Sequence, residues 1–361
     1  RVSDMNHNHQ HTPNRFGVIP TAVRLNANPE YTGKGVTIAF LDSGFHPHPD
    51  LVTPVNRVVA YEDLVQRRGS LSTESVEPWH WHGTQTSVAA AGNGQLSNGL
   101  YRGLAHEAQL VLVKVSERGR ITEENIAAGI RWIIANRERY NIRVLNISLG
   151  GDEDVPCSRS IVDQAAEEAI SQGIAVIAAA GNSGAEGRHS IPPANSPSVI
   201  TVGGYTDHNR LNGNELDLYH SNFGITADGT VKPEIVAPAM WVAAPILPGT
   251  RPYERAEALS RLAAAADYEL PGLARELKKV AELPDADATA IRAYVEAALQ
   301  QEKIVAAHYQ HVDGTSFAAP IVASVVAQMI QANPALTPGA IKNILVSTAD
   351  RIATEPVIRQ G

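Results

Sequence analysis

A three-layer α/β/α fold with a mostly parallel central sheet is the architecture this sequence predicts, and three observations predict it. Short apolar runs alternate with helix-like segments from about residue 35 to 349. Their β-α-β-α order is that of a parallel sheet covered by helices on both faces. Hydrophobic residues make up 43% of the 361 residues, enough for a sizeable core in one large domain.

The elements follow in chain order. "GVTIAFLDSG" reads as a buried strand ending at Asp42. "HGTQTSVAAAG", beginning at His82, is alanine-rich and apolar on nearly all sides, so it reads as a buried helix. "AQLVLVKV" is a strand, and "TEENIAAGIRWIIANRERY" an amphipathic helix with Thr122 as N-cap. "IRVLNISLGG" is a strand, and "SIVDQAAEEAISQG" a helix closed by Gly173. "IAVIAAAGN" reads as a strand ending at Asn182, and "SVITVGG" as one more. From Thr250 to about Ala307 the composition shifts to Ala, Leu, Glu, Arg and Lys. This stretch reads as two or three helices broken at Pro271 and Pro284, with Asp285 or Asp287 as a cap and with no strand pattern. "SFAAPIVASVVAQMIQANP", starting at Ser316, is a second helix apolar all round.

Bulk properties exclude several classes. The net charge of −8 offers no basic face for nucleic acid or an anionic membrane. No run approaches 18 uninterrupted apolar residues. The single cysteine, Cys157, rules out an internal disulfide and leans towards a reducing, cytoplasmic compartment. His7, His9 and His11 lie in a polar terminus that reads as loosely ordered rather than as a metal site.

In open α/β sheets, sites form at the carboxyl ends of strands. Asp42, Ser148 and Asn182 are placed there, while His82 and Ser316 stand at helix starts, near the positive end of a helix dipole. Each alone has a bland reading: Asp42 as a turn residue, His82 as structural, Ser316 as a small residue opening a buried helix. Together they supply what a nucleophilic serine needs, namely a base, a carboxylate to orient it and an amide donor for an oxyanion.

These motifs resemble those of the subtilisin-like serine proteases, the subtilase (S8-type) family. "FLDSGFHPHPDL" is similar to the family's aspartate motif, "HGTQTSVAAAG" to its histidine motif, "AAAGNSG" to its oxyanion-asparagine motif and "GTSFAAP" to its serine motif. "NISLGG" resembles its substrate-binding strand, and "VKPEIVAPA" points to the AprX-like bacterial branch. The resemblance implies an endopeptidase working through an acyl-enzyme, with Ser316 as nucleophile, His82 as base, Asp42 orienting it and Asn182 as oxyanion donor. It implies an extended polypeptide substrate between Ser148, Leu149 and Gly150 on one side and the segment around Gly119 on the other. Ala179, Ala180 and Gly181 are expected to wall an open first unprimed pocket that prefers large apolar residues. A prodomain or protein inhibitor is a further partner of such enzymes. No cofactor is required for the chemistry. A structural calcium is common in the family, and Asp50 matches its aspartate ligand, with a turn residue as the alternative, because the loop "GNGQLSNGLYRG" is rearranged. Phe317, Gln85, Ala239 and Asp313 depart from the residues the family usually carries there.

Within this frame, residues 1–30 read as an N-terminal extension and 31–361 as the catalytic domain, interrupted by a helical insertion at 250–307 that either caps the primed side or packs as a solvated decoration on the side of the domain. Helical additions also occur in subtilase relatives that are macrocyclases, so transpeptidation is the alternative reaction. A binding protein on a silenced protease fold is the third.

Overall fold

The computed structural model describes residues 17–67, 69–71, 76–151, 155–184, 191–211 and 215–361, so the expectation on His7, His9 and His11 falls outside it. The chain orders as α1 (Thr21–Arg24), β1 (Thr37–Asp42), α2 (Pro49–Val52), β2 (Val58–Asp63), α3 (Trp81–Ala91), β3 (Gln109–Lys114), α4 (Glu123–Asn136), β4 (Ile142–Ile147), α5 (Ile161–Ser171), β5 (Ala175–Ala179) and β6 (Ile200–Thr206). Three two-residue strands follow, β7 (Asp217–Leu218), β8 (Gly224–Ile225) and β9 (Val231–Lys232), then β10 (Ile235–Pro238) and β11 (Val242–Pro245). The last part holds α6 (Arg251–Ala264), α7 (Leu270–Ala281), α8 (Ala288–Gln301), β12 (Ile304–Ala306), β13 (Tyr309–Val312), α9 (Thr315–Ala332) and α10 (Pro338–Thr348).

The central sheet runs β10-β6-β5-β4-β1-β3-β2, every neighbouring pair parallel, with β7 antiparallel on β6. Successive side chains of a strand point to opposite faces, and β1 shows the consequence. Ile38 and Phe40 enter one core with Val88, Val322 and Val326 of α3 and α9, whereas Ala39 and Leu41 enter another with Ile130 and Val162 of α4 and α5. The predicted layers are therefore present. Thr122 caps α4 through its side chain, accepting from the Asn125 N–H, and Gly173 takes φ +87 just past α5. The 18 residues of α9 are long and apolar enough for a bilayer, but 67% of that window is buried in the protein, as befits a core helix.

Three expectations need correction. The strand β5 stops at Ala179, so Asn182 sits on the following loop. Pro271 does not break a helix; it is the second residue of α7, where its missing N–H is no loss. The break before α7 falls after Ala264 instead, and Asp287 rather than Asp285 caps α8, accepting from the Ala290 N–H at 2.9 Å. "IVA" at 304–306 is a short strand, held by antiparallel pairing to β13, which pairs in turn with β11. The helices α6–α8 share their own apolar cluster, including Leu259, Leu277 and Val295, which reaches Ile246 and Ile304 at the chain's entry and exit. Residues 17–30, within the expected N-terminal extension, are tied to the domain. Arg24 grips both carboxylate oxygens of Asp207 and two backbone carbonyls, and the Ile19 N–H donates to Asn209.

Candidate active site

β1 ends at Asp42, on the carboxyl edge of the sheet, and its carboxylate is 1% exposed. A buried carboxylate is tolerated only when hydrogen-bonded. Oδ1 accepts from the Ser43 N–H at 2.6 Å and the Ser43 hydroxyl at 3.2 Å, and Oδ2 from the Thr86 hydroxyl at 3.3 Å. His82, in the first turn of α3, brings Nδ1 to 2.8 Å from Oδ1 and 3.0 Å from Oδ2. Gly83 makes this approach feasible, since a Cβ there would lie 2.3 Å from the Gly44 carbonyl and 2.9 Å from the Asp42 Cβ. Burial alone would lower the His82 pKa, but the charge and hydrogen bond of Asp42 outweigh it and raise it above the ordinary histidine value. With Nδ1–H donating to Asp42, Nε2 is left as the acceptor.

Ser316 is the second residue of α9, whose start packs against α3: the Phe317 ring lies 6.1 Å from that of His82. Pro320 lies inside the same helix and cannot donate to the Ser316 carbonyl four residues back. The Ser148 hydroxyl donates to that carbonyl instead, at 2.9 Å, and itself accepts from Asn146 at 3.1 Å. So the first residue beyond β4 fixes the backbone of the candidate nucleophile. The Ser316 hydroxyl donates to the Ser148 carbonyl at 3.4 Å, and its bond to His82 is not formed here. Such bonds are often long before substrate binds.

Asn182 is exposed on the loop after β5, with its orientation fixed. Its Oδ1 accepts from both the backbone N–H and the hydroxyl of Thr315, at 2.8 and 2.9 Å, which leaves the NH2 as the outward donor. The Ser316 N–H lies at a helix start, where amides lack intrahelical partners and are left to donate elsewhere. The loop is braced further. The Gly181 N–H donates to the Thr315 hydroxyl at 3.1 Å, and the buried Asn222 accepts from both the N–H and the hydroxyl of Ser183. Sequence reasoning did not single out Ser43, Thr86, Thr315 or Asn222. Ser43, Thr86 and Thr315 lie within the quoted motifs; Asn222 has no local signal at all.

Of the expected subsite residues, Ser148, Leu149 and Gly150 directly follow β4, and Gly119 sits in a turn at φ +88 where Glu117 and Arg120 exchange both backbone hydrogen bonds. Ala179 and Gly181 are half-buried, but Ala180 has no exposed surface. Side chains alternate along an extended backbone, and the Ala180 methyl is the one turned into the protein. The departures are accommodated: the Gln85 amide donates to the Pro245 carbonyl at 2.9 Å, and the Ala239 methyl fills space beside Gly204, where a Cβ would lie 2.2 Å from it.

Asp50 does not fit a calcium ligand. It is fully buried, with Oδ2 accepting from the Tyr309 hydroxyl at 2.7 Å and Oδ1 from the Leu96 N–H at 3.2 Å. The His48 imidazole is 3.7 Å away, and burial pushes the carboxyl pKa up. Calcium takes six to eight oxygen ligands. Among the described residues no group of three or more His, Cys, Asp or Glu could hold a metal ion.

Comparison with known proteins agrees with this geometry. The subtilase family profile matches residues 33–360. The serine protease AprX of Bacillus subtilis (strain 168) is 31% identical over 334 residues, covering 89% of this chain and 62% of AprX. Subtilisin E of the same strain is 35% identical over 202 residues, 52% of this chain and 47% of that relative. This chain thus spans less than two thirds of the length of either. Among solved structures, a psychrophilic protease (S41) superposes with a TM-score of 0.63 at 23% identity, over 92% of this chain and 90% of that one. Sphericase does so with 0.62 at 24%, over 92% and 90%, and at this identity the likeness concerns the fold. With the family profile spanning nearly the whole chain and the Asp, His and Ser motifs in its order, this protein belongs to the subtilase family.

Proposed function

We propose that this protein is a serine endopeptidase that hydrolyses peptide bonds through an acyl-enzyme. The observation that carries the reading is the Asp42–His82 contact, at 2.8 and 3.0 Å, which sets the tautomer a general base needs. His82 Nε2 takes the Ser316 proton as Oγ adds to the scissile carbonyl. The tetrahedral oxyanion receives hydrogen bonds from the Asn182 amide and the Ser316 N–H. His82 then returns the proton to the leaving amine, the C–N bond breaks, and water resolves the ester by the same route. Acyl transfer of this kind calls for no cofactor.

The substrate runs as an extended strand between Ser148–Gly150 and the turn at Gly119, with main-chain hydrogen bonds supplying affinity and pockets supplying preference. Ala179 and Gly181 leave the first unprimed pocket wide, which supports a preference for large apolar residues. Equal or better cleavage after Arg or Lys in a peptide library would refute that preference. We further read residues 250–307 as an insertion into the catalytic domain (31–361) that walls the leaving-group side. Replacing residues 251–301 by a short linker is expected to raise KM for substrates extended on the primed side, and unchanged KM removes this role.

The reaction itself is tested by intact-mass analysis after treatment with a fluorophosphonate, with Ser316→Ala as control. One adduct mapped to Ser316 and absent from the variant is the expected result. A well-folded protein that stays unmodified would overturn the reading.

A further inference from the structure

The helices α6–α8 have a core of their own, yet their exit is fastened to the turn that carries Ser316. Lys303 follows α8 in a left-handed conformation, φ +57, which few residues other than glycine adopt. Its carbonyl accepts from the His311 N–H at 2.8 Å, and its ammonium donates to Asp313 Oδ2 at 2.5 Å. Asp313 Oδ1 accepts at 3.2 Å from the N–H of Trp241, a second left-handed residue at φ +60. One carboxylate thus ties down two unfavourable backbone conformations, a feature that clusters where structure is over-determined for function. Burial works against the charged form of Asp313, but His311, Lys303 and the Trp241 N–H hold its pKa well below the usual carboxylate range.

The next three residues lead straight into the site. Gly314, at φ +140, donates to the Ala239 carbonyl at 2.7 Å. Thr315 holds Asn182 Oδ1 by two hydrogen bonds, and Ser316 follows. A shift of Asp313 therefore moves the residue that aims the oxyanion donor and the one that bears the nucleophile.

We propose that Lys303 is a positioning residue: through Asp313 it couples the seating of the α6–α8 segment to the alignment of Asn182 and Ser316. This rests on the endopeptidase reading for its consequence, but the coupling itself is a property of the fold. Only the Lys303 end of the pair is exposed, and His311 and the Trp241 N–H still hold Asp313 when the ammonium is removed, so losing it costs little global stability. A merely structural role therefore predicts neither a stability change nor a change in chemistry.

Two measurements test it. In the active protein, Lys303→Met is expected to lower kcat about tenfold with KM and melting temperature nearly unchanged, since sub-ångström misplacement falls on the chemical step. Lys303→Arg is expected to restore kcat. Asp313→Asn, which keeps an oxygen for the Trp241 N–H, should match Lys303→Met, and the double variant should be no worse than either. In the Ser316→Ala background, hydrogen exchange of the Thr315 amide should quicken about tenfold on Lys303→Met. An unchanged Thr315 exchange rate overturns the coupling whether or not the protein is active. Unchanged kcat in a protein that labels with fluorophosphonate overturns the catalytic consequence. Quickened exchange in a protein that never labels leaves the coupling standing and sinks the endopeptidase reading instead.

Discussion

Acid should unfold this protein through two buried histidines that take no part in catalysis. His46 and His48 are 7% and 0% exposed, and His46 Nδ1 and His48 Nε2 have no hydrogen-bond partner among the described residues. Burial is the main cause that lowers both pKa values. The proximity of His80 adds to it at His46, and that of His46 and His308 at His48, giving about 4 and about 3. A histidine whose folded pKa lies below its unfolded value of about 6.5 stabilises fully above that pH, and the contribution is lost as pH falls towards the folded value. Each pH unit in that window costs about 1.4 kcal/mol per histidine. At pH 5 the pair therefore costs about 4 kcal/mol, a large part of the about 5–15 kcal/mol that stabilises a typical domain. The assay is urea unfolding at pH 7.5, 6 and 5 in the Ser316→Ala background, which prevents self-digestion. His46→Gln with His48→Asn keeps an acceptor for the Asp50 N–H, which His48 Nδ1 now provides at 3.2 Å. The double variant should lose about 4 kcal/mol less than its parent between pH 7.5 and 5. Parallel losses in the two proteins would refute the reasoning and shift the acid sensitivity to carboxylates.

Three further outcomes follow from the geometry. Asn182→Ala should lower kcat by about 10²–10³ with little change in KM, the loss seen on removing one oxyanion donor from subtilisin, a relative of this chain; a single-turnover assay on an activated ester reads it. The raised His82 pKa means that base catalysis appears only above the ordinary histidine range, so kcat/KM should climb through a midpoint above pH 6.5; a midpoint below it contradicts the Asp42 contact. Glu234 Oε1 accepts from both Lys232, which is fully buried, and Lys342, each at 2.6 Å. Glu234→Gln should therefore destabilise by about 3–5 kcal/mol, the cost of stranding a buried charge, and a urea midpoint unchanged from the parent would dismiss the pair's importance.

What was legible in the sequence was local. β1, β3, β4 and β5 carry apolar runs because both their faces are buried, and the runs could be read directly. β2 lies at the sheet edge with half-buried, partly polar residues, so no run announces it. β11, β12 and β13 owe their existence to pairing with each other across the helical segment, a condition no single window contains. Pro271 was read as a breaker because proline is disfavoured inside a helix, but the same ring geometry suits a first turn. Asp42, His82, Asn182 and Ser316 stood out because each lies in a compact motif.

The support around those four residues was dark for a different reason. Ser148 and Ser316 are 168 positions apart, Asp42 and Thr86 are 44, and Asp50 and Tyr309 are 259. Such pairs satisfy buried polar groups, and the sequence around one partner says nothing about the other. Pro320 shows what a motif alone leaves out: its helix position removes a donor, and the freed Ser316 carbonyl becomes the anchor for Ser148. Asp50 shows the converse. An aspartate in a family position invites a calcium, but a phenol and a backbone amide already meet its two oxygens, so the partner, and not the aspartate, decides what that carboxylate does.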